Sequence, residues 1–283
     1  MEKKMSTFDL ADYEYAGEGA NSKSYNSKTN PEEMLKLFSD VYPEDAIREE
    51  VEVARKVWEI GVPSPKPGEL VTDGKQLGIR FWRIPNKVSF ARAVANNPEQ
   101  VGKYAKQFAQ MCKDLHSKHC KPGLFPDNKQ HYLEMLAEDT AFNADEKMKI
   151  ENFIKSVPDT DTCLHGDMHF GNVVTDGTKN YFIDLGEFAT GYPLFDVAML
   201  YIVCVVNVDE FIYENFHFHK DLAVKFWEAF VPEYFGTDKT LDEVNELVKP
   251  FAAVKALLIE RNLGGVMLPI FENLFRTSIL AEK

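Results

Sequence analysis

The sequence is short of cysteine: four in 283 residues, Cys112, Cys120, Cys163 and Cys204, with no Cys-x-x-Cys pair. Four scattered thiols cannot knit together a chain of this size. That excludes a disulfide scaffold and favours a reducing compartment, so a cytoplasmic protein is expected. Asn-x-Ser/Thr is absent, in keeping with that expectation. Long apolar runs are absent too. The longest, Val197–Val206, is far below the ~20 residues that span a bilayer, so it predicts a buried helix and no membrane partner. Met1–Ser6 carries two lysines with no apolar stretch behind them, so no secretory leader is expected. Positive charge is in deficit, with 32 Lys+Arg against 45 Asp+Glu and a net charge of −13. A general nucleic-acid binder needs clustered cations, so nucleic acid is excluded as a partner. No internal repeat or low-complexity tract is present.

What remains is an ordinary globular composition, 45% hydrophobic and 27% charged. A chain this long buries roughly 75% of the surface it exposes when unfolded. The first third reads as short strands, at Tyr13–Ala16, Lys23–Asn26 and Met34–Phe38, punctuated by Gly, Asn and Pro. Pro43-Glu44-Asp45 is a proline-led acidic helix start. Ile47, Val51, Ala54 and Trp58 follow at helical spacing, and Gly61 marks the stop. Three prolines between Val62 and Pro67 force an extended segment. Asp73-Gly74 predicts a hairpin between Glu69–Val71 and Leu77–Arg83. From about Pro98 the pattern turns helical. Val101, Tyr104, Ala105, Phe108, Met111, Cys112 and Leu115 mark one helix. Asn143–Glu146 has capping-box spacing and starts another, to about Ser156. After Asp196 the rest reads as helix, with loops near Pro232–Thr240. A small β-rich part, residues 1–84, therefore precedes a larger, mainly helical part, 85–283.

The chemistry concentrates in Cys163–Val174, where His165-Gly166-Asp167 is followed five residues later by Asn172. Val173–Thr175, the turn Asp176-Gly177 and Tyr181–Gly186 read as a second hairpin. A hairpin brings its ends together, which sets Asn172 beside Asp184. An amide and a carboxylate offer oxygen ligands to a hard cation such as Mg²⁺. Asp167, in the same loop, can accept a proton from a hydroxyl attacking phosphorus.

His-x-Asp-x-x-x-x-Asn followed by Ile-Asp-x-Gly resembles the aminoglycoside phosphotransferase and choline-kinase-like enzymes, which share the protein-kinase fold. The resemblance implies an α+β, two-lobed protein-kinase-like fold. Its N-lobe would be a small antiparallel β-sheet with one helix, and its C-lobe larger and mainly helical. It implies Asp167 as catalytic base, His165 bracing the catalytic loop, and Asn172 and Asp184 on Mg²⁺. Pro193-Leu194-Phe195-Asp196 is similar to the family element whose Asp steadies that loop. Asp184-Leu185-Gly186 in place of Asp-Phe-Gly, with no Ala-Pro-Glu after it, favours a small-molecule acceptor over a protein.

On the nucleotide side, Tyr15–Ser22 is a small-residue turn. Its Gly17 and Gly19 are either a plain hairpin loop or a cover through which backbone N–H groups approach phosphates. Lys36 lies inside the apolar strand Met34–Phe38, as a solvent-facing alternate position or as a phosphate-pairing lysine. Its place after the glycine turn matches the family's lysine. Glu50 shares the inward face of the following helix with Ile47 and Ala54, so it is the first choice to partner Lys36, with Glu52 second. The linker Phe81–Lys87 matches the adenine-reading hinge. The expected cofactors are ATP and Mg²⁺. The expected partner is a small-molecule hydroxyl acceptor, aminoglycoside-like, choline-like or another metabolite, and the chain is expected as a monomer or homodimer. The alternative is a nucleotide-binding pseudokinase or regulatory module without turnover.

Overall fold

A computed structural model describes residues 5–19 and 21–281. Met1–Lys4, part of the segment read as carrying no leader, and Ala20 of the glycine turn lie outside the described residues. The chain divides into two compact units. One comprises Met1–Val88 with Val173–Gly186, the other Ser89–Asn172 with Glu187–Lys283. No helix among the described residues is long and apolar enough to cross a membrane.

The first unit is built on a six-stranded sheet: β1 (Ser6–Thr7), β2 (Tyr13–Glu18), β3 (Ser22–Ser27), β4 (Glu33–Phe38), β5 (Pro67–Thr72) and β6 (Leu77–Trp82), in the order β1-β5-β6-β4-β3-β2. Pairing is antiparallel except between β1 and β5. Alternation along β4 sorts its side chains between two faces. Leu35 and Leu37 join Phe8, Tyr13 and Val71 in one buried cluster. Phe38 joins Ile79 with Ile47 and Val51 of α1 (Glu44–Glu59) in the other. The helix therefore covers the Phe38 face, which is also the face of Lys36.

Pro43 occupies the N-cap position of α1 without a side-chain cap, and Gly61, at φ 73°, follows its end as a left-handed stop. The buried stripe is Ile47, Val51, Ala54 and Val57. Trp58, expected on that stripe, is instead 41% exposed. The Lys66 ammonium lies 5.0 Å above its ring, which gives the indole a partner at the surface.

The same unit takes in a later hairpin, β9 (Val173–Thr175) with β10 (Asn180–Phe182), whose last rung pairs Val173 with Phe182. Phe182 N–H donates to the Pro63 carbonyl at 2.8 Å, and Tyr181 packs on Trp82. The strand expected over Tyr181–Gly186 stops at Phe182. Asp184 has φ 60°, and a left-handed residue cannot continue a β ladder.

After β7 (Val88–Ser89), at the join of the two units, the second unit is mainly helical. Its helices are α2 (Phe90–Asn96), α3 (Val101–His116), α4 (Asn128–Glu138), α5 (Ala144–Ser156), α6 (Leu194–Tyr201), α7 (Asp209–Phe216), α8 (Lys220–Phe235), α9 (Leu241–Asn262) and α10 (Pro269–Arg276). Two short strands, β8 (Cys163–Leu164) and β11 (Ala189–Thr190), pair antiparallel. Asn143 and Glu146 form the expected capping box on α5.

The apolar run after Val197 is helical, α6 continuing into a wider π turn over Ile202–Val206. The loop expected from Pro232 begins later, because Pro232 lies inside the last turn of α8. Its ring removes one N–H, but the Glu228 carbonyl left over belongs to an exposed residue that water can serve.

Candidate active site

In the first unit three expected residues meet. Lys36 Nζ donates to Glu50 Oε1 at 2.5 Å and to Asp184 Oδ1 at 3.3 Å. It also lies 5.2 Å above the Phe38 ring. The Lys36 and Glu50 side chains are 17% and 13% exposed, against 57% for Asp184. Burial pulls the Lys36 pKa down, but the Asp184 and Glu50 carboxylates outweigh it and hold the ammonium above its ordinary value. The cation is thus fixed from behind by a sheltered carboxylate and from the front by an exposed one. Glu52 pairs with Arg55 at 2.6 Å on the exposed side of α1, so Glu50 is the partner of Lys36.

The glycine turn is tighter than its sequence implies. Gly17 lies within β2, beyond a register break after Tyr15, and Gly19 N–H closes on the Ser22 carbonyl at 2.9 Å. Among the described residues, no hydrogen bond joins Gly17 or Gly19 to the Lys36 group.

The second unit assembles the His-x-Asp loop between β8 and the short turn Phe170–Asn172. Phe170 anchors it, wedged among Phe216, Phe218 and Phe226 with ring centres 4.7, 5.4 and 5.1 Å away. Asp196, at the start of α6, holds the other end. Its Oδ2 accepts from His165 N–H at 2.7 Å and its Oδ1 from Gly166 N–H at 2.8 Å. His116 Nε2, at the end of α3, is 3.1 Å from Asp196 Oδ2, and Tyr234 O–H is 2.7 Å from His116 Nδ1. Burial opposes ionisation of Asp196, but the His116 bond and the neighbouring imidazoles and N–H groups hold its pKa below the usual carboxylate range.

Gly166 is required here. Its φ is 83°, and a Cβ would fall 1.9 Å from the Glu187 carbonyl oxygen. His165 is fully buried, and its Nδ1 faces Asp167 N–H at 3.3 Å.

Asp167 is partly exposed. Asn172 spends its amide nitrogen on Asp167 twice, at the backbone oxygen (3.0 Å) and at Oδ2 (2.8 Å). His169 Nε2 lies 3.5 Å from the same Oδ2. His169 Nδ1 accepts from Gly171 N–H, so Nε2 carries the proton toward Asp167. All these bonds leave Asp167 Oδ1 and Asn172 Oδ1 as the side-chain oxygens without a partner among the described residues. Burial pushes the Asp167 pKa up, but His169, Lys255 and His165 outweigh it and keep the carboxyl well below its usual range. The group is an ionised acceptor at neutral pH.

Two residues of this neighbourhood escaped the motif. One is His169, which falls on an unspecified position of His-x-Asp-x-x-x-x-Asn. The other is Lys255 of α9, fully buried, whose ammonium donates to the Gly166 carbonyl. The signal for Lys255 was a single lysine inside the apolar stretch Phe251–Ile259. A charge enclosed on such a face needs a partner.

The sequence matches the model of the phosphotransferase enzyme family over residues 13–223. A comparison with curated protein sequences finds no match. Among solved structures, the chain is similar to a choline/ethanolamine kinase family protein from Mesorhizobium loti, at 15% identity, covering 94% of this chain and 86% of that one, with a TM-score of 0.57. It is also similar to the aminoglycoside phosphotransferase APH(4)-Ia, at 12% identity over 94% of each chain and a TM-score of 0.63. A third is APH(2'')-Ib with ADP bound, at 14% identity over 94% and 93% and a TM-score of 0.57. At these identities the likeness is one of fold.

Proposed function

The chain belongs to the phosphotransferase enzyme family, and on that premise we propose that it transfers the γ-phosphoryl group of ATP, with Mg²⁺, to a hydroxyl of a small molecule. The observation that carries this reading is Asp167, an ionised carboxylate whose Oδ2 is tied down by Asn172 while Oδ1 stays open. In this reading Oδ1 accepts the hydroxyl proton as the acceptor oxygen bonds to the γ-phosphorus. The bond from that phosphorus to the β-phosphate oxygen breaks, and ADP leaves. Asp196 and His165 hold the loop so that Asp167 meets the hydroxyl without reorganising. Lys36, backed by Glu50, supplies the fixed positive charge for the nucleotide phosphates. Gly17 and Gly19 are the backbone cover over them.

The residues present fit Mg²⁺. Asn172 keeps its Oδ1 for a cation because its amide nitrogen is engaged by Asp167, and Asp184 contributes an exposed carboxylate. Among the described residues no three or more His, Cys, Asp or Glu side chains form a ready cage. When bound, Mg²⁺ neutralises charge on the phosphates. Crystals of APH(4)-Ia with hygromycin B and either ADP or AMP-PNP support a nucleotide and a small hydroxylated acceptor for this chain as well.

The test is Mg²⁺-dependent ATP turnover over a panel of aminoglycosides, choline, ethanolamine, homoserine and sugars, with Asp167→Asn as control. We expect turnover with at least one acceptor and its loss in the variant. Turnover that survives Asp167→Asn overturns the assignment of the base. Tight ATP binding with no turnover on any acceptor favours the nucleotide-binding module.

A further inference from the structure

We propose that Lys255 is a positioning residue for phosphoryl transfer: from α9 its ammonium holds the Gly166 carbonyl and thereby sets the peptide that carries Asp167. The proposal rests on the reading of Asp167 as the catalytic base.

A buried ammonium costs several kcal/mol unless it is well compensated. Lys255 is 1% exposed, on a stretch of α9 whose other buried members include Phe251, Ala252, Val254, Leu257 and Leu258. A leucine or methionine would fill that place without the cost. What Lys255 has instead is one backbone acceptor, Gly166 O. Around it stand Tyr132 of α4, Asp167 of the loop, Glu187 after the hairpin and Asp196 of α6. The three carboxylates among them outweigh burial and hold the ammonium above its ordinary value.

The Gly166 peptide is then held on three sides. Asp196 Oδ1 takes its N–H, the Glu187 carbonyl closes on its Cα, and Lys255 takes its C=O. That C=O belongs to the same rigid amide as Asp167 N–H. Turning it turns the backbone from which the Asp167 carboxylate projects. Asp196 holds the two amides before it, through the N–H of His165 and of Gly166. Lys255 holds the carbonyl of this one, and it does so from α9 rather than from the motif.

The test uses the full chain with Lys255→Met. Two readouts are taken. The first is hydrogen–deuterium exchange, which needs no acceptor. We expect about tenfold faster exchange in residues 163–172, with α4 and α9 as protected as in the parent. The second is steady-state kinetics with Mg²⁺ and ATP, using whichever acceptor the panel yields, or water as acceptor if it yields none. We expect kcat to fall about 100-fold while KM for ATP stays within about twofold, as misplacement of a catalytic group predicts.

Unchanged exchange in the loop overturns the proposal, and so does loosening spread over α4 and α9. A loosened loop with parent-like kcat, in a protein that Asp167→Asn inactivates, overturns it too. If Asp167→Asn leaves turnover intact, the reading of the base has failed, and the exchange data alone decide what Lys255 holds. Should Lys255→Met not fold, Lys255→Leu, which likewise has no donor, is judged by the same outcomes.

Discussion

Replacing Asp196 by asparagine tests whether the loop's geometry is held by a charge or only by shape. The substitution is nearly isosteric, so packing around a fully buried side chain is kept. The asparagine oxygen can still accept from Gly166 N–H, but its NH₂ then faces His165 N–H where Oδ2 had accepted at 2.7 Å. His116 can adapt, because its imidazole can move its proton to Nδ1 and accept at Nε2, with Tyr234 O–H turning to accept in its place. His165 N–H cannot adapt. One charge-assisted bond is lost and one buried donor is orphaned, so we expect a loss of about 2–4 kcal/mol.

Urea unfolding of parent and variant at pH 7 reads that gap. Its pH dependence follows from the sign of the shift. The folded-state pKa of Asp196 is depressed, so the stability it supplies is full above the ordinary value of 3.8 and is lost as pH falls through the folded value. The gap should therefore be constant from pH 7 to about 5 and close only in stronger acid. A gap under about 1 kcal/mol at pH 7, or one that grows on acidification, refutes this account.

Three further outcomes are expected. Gly166→Ala must leave φ 83° or push the Glu187 carbonyl aside, at about 1–3 kcal/mol or more, and thermal melting should show the loss together with a collapse of turnover. Burial and Asp139 push the Glu260 carboxyl up to about 7. An acid with a raised folded pKa penalises the folded state above that pKa and not below its ordinary value of 4.5. Glu260→Gln should thus stabilise by about 1–3 kcal/mol at pH 8 and by less than about 1 at pH 5, read by denaturant melts. Asn143→Ala removes the reciprocal cap of α5 and should cost about 1 kcal/mol by the same melts, with ATP turnover unchanged.

The parts of this molecule that follow local rules were readable in advance. Asn143 and Glu146 announce a helix start because both halves of the cap lie within one turn. Gly61 announces a stop because few residues tolerate φ 73°. The Lys36–Glu50 pair follows from the period of α1 and from the family resemblance, since alternation in β4 alone leaves Lys36 facing either solvent or phosphate. What was not readable depends on distant surroundings. Pro232 sits in a helix because the carbonyl it strands belongs to an exposed residue, a fact about solvent rather than about proline. Trp58 left the expected stripe because Lys66 offers its ring a cation. Lys255 interrupts an apolar stretch, and its acceptor lies 89 residues away in the chain, beyond any local pattern.

The hairpin Val173–Gly186 belongs with Met1–Val88, although 84 residues, Ser89–Asn172, separate them in the chain. On a ribosome adding ~5–20 residues per second, the first unit waits roughly 4–17 s for its last piece. Until then the Pro63 carbonyl has no Phe182 N–H, Trp82 has no Tyr181 ring against it, and Lys36 has Glu50 but not Asp184. The nascent chain therefore carries an unfinished first unit while the 84 residues Ser89–Asn172 of the second are being made. The carboxylate that completes the Lys36 group is among the last residues to arrive, so the ionic site forms at the same moment as the unit that holds it.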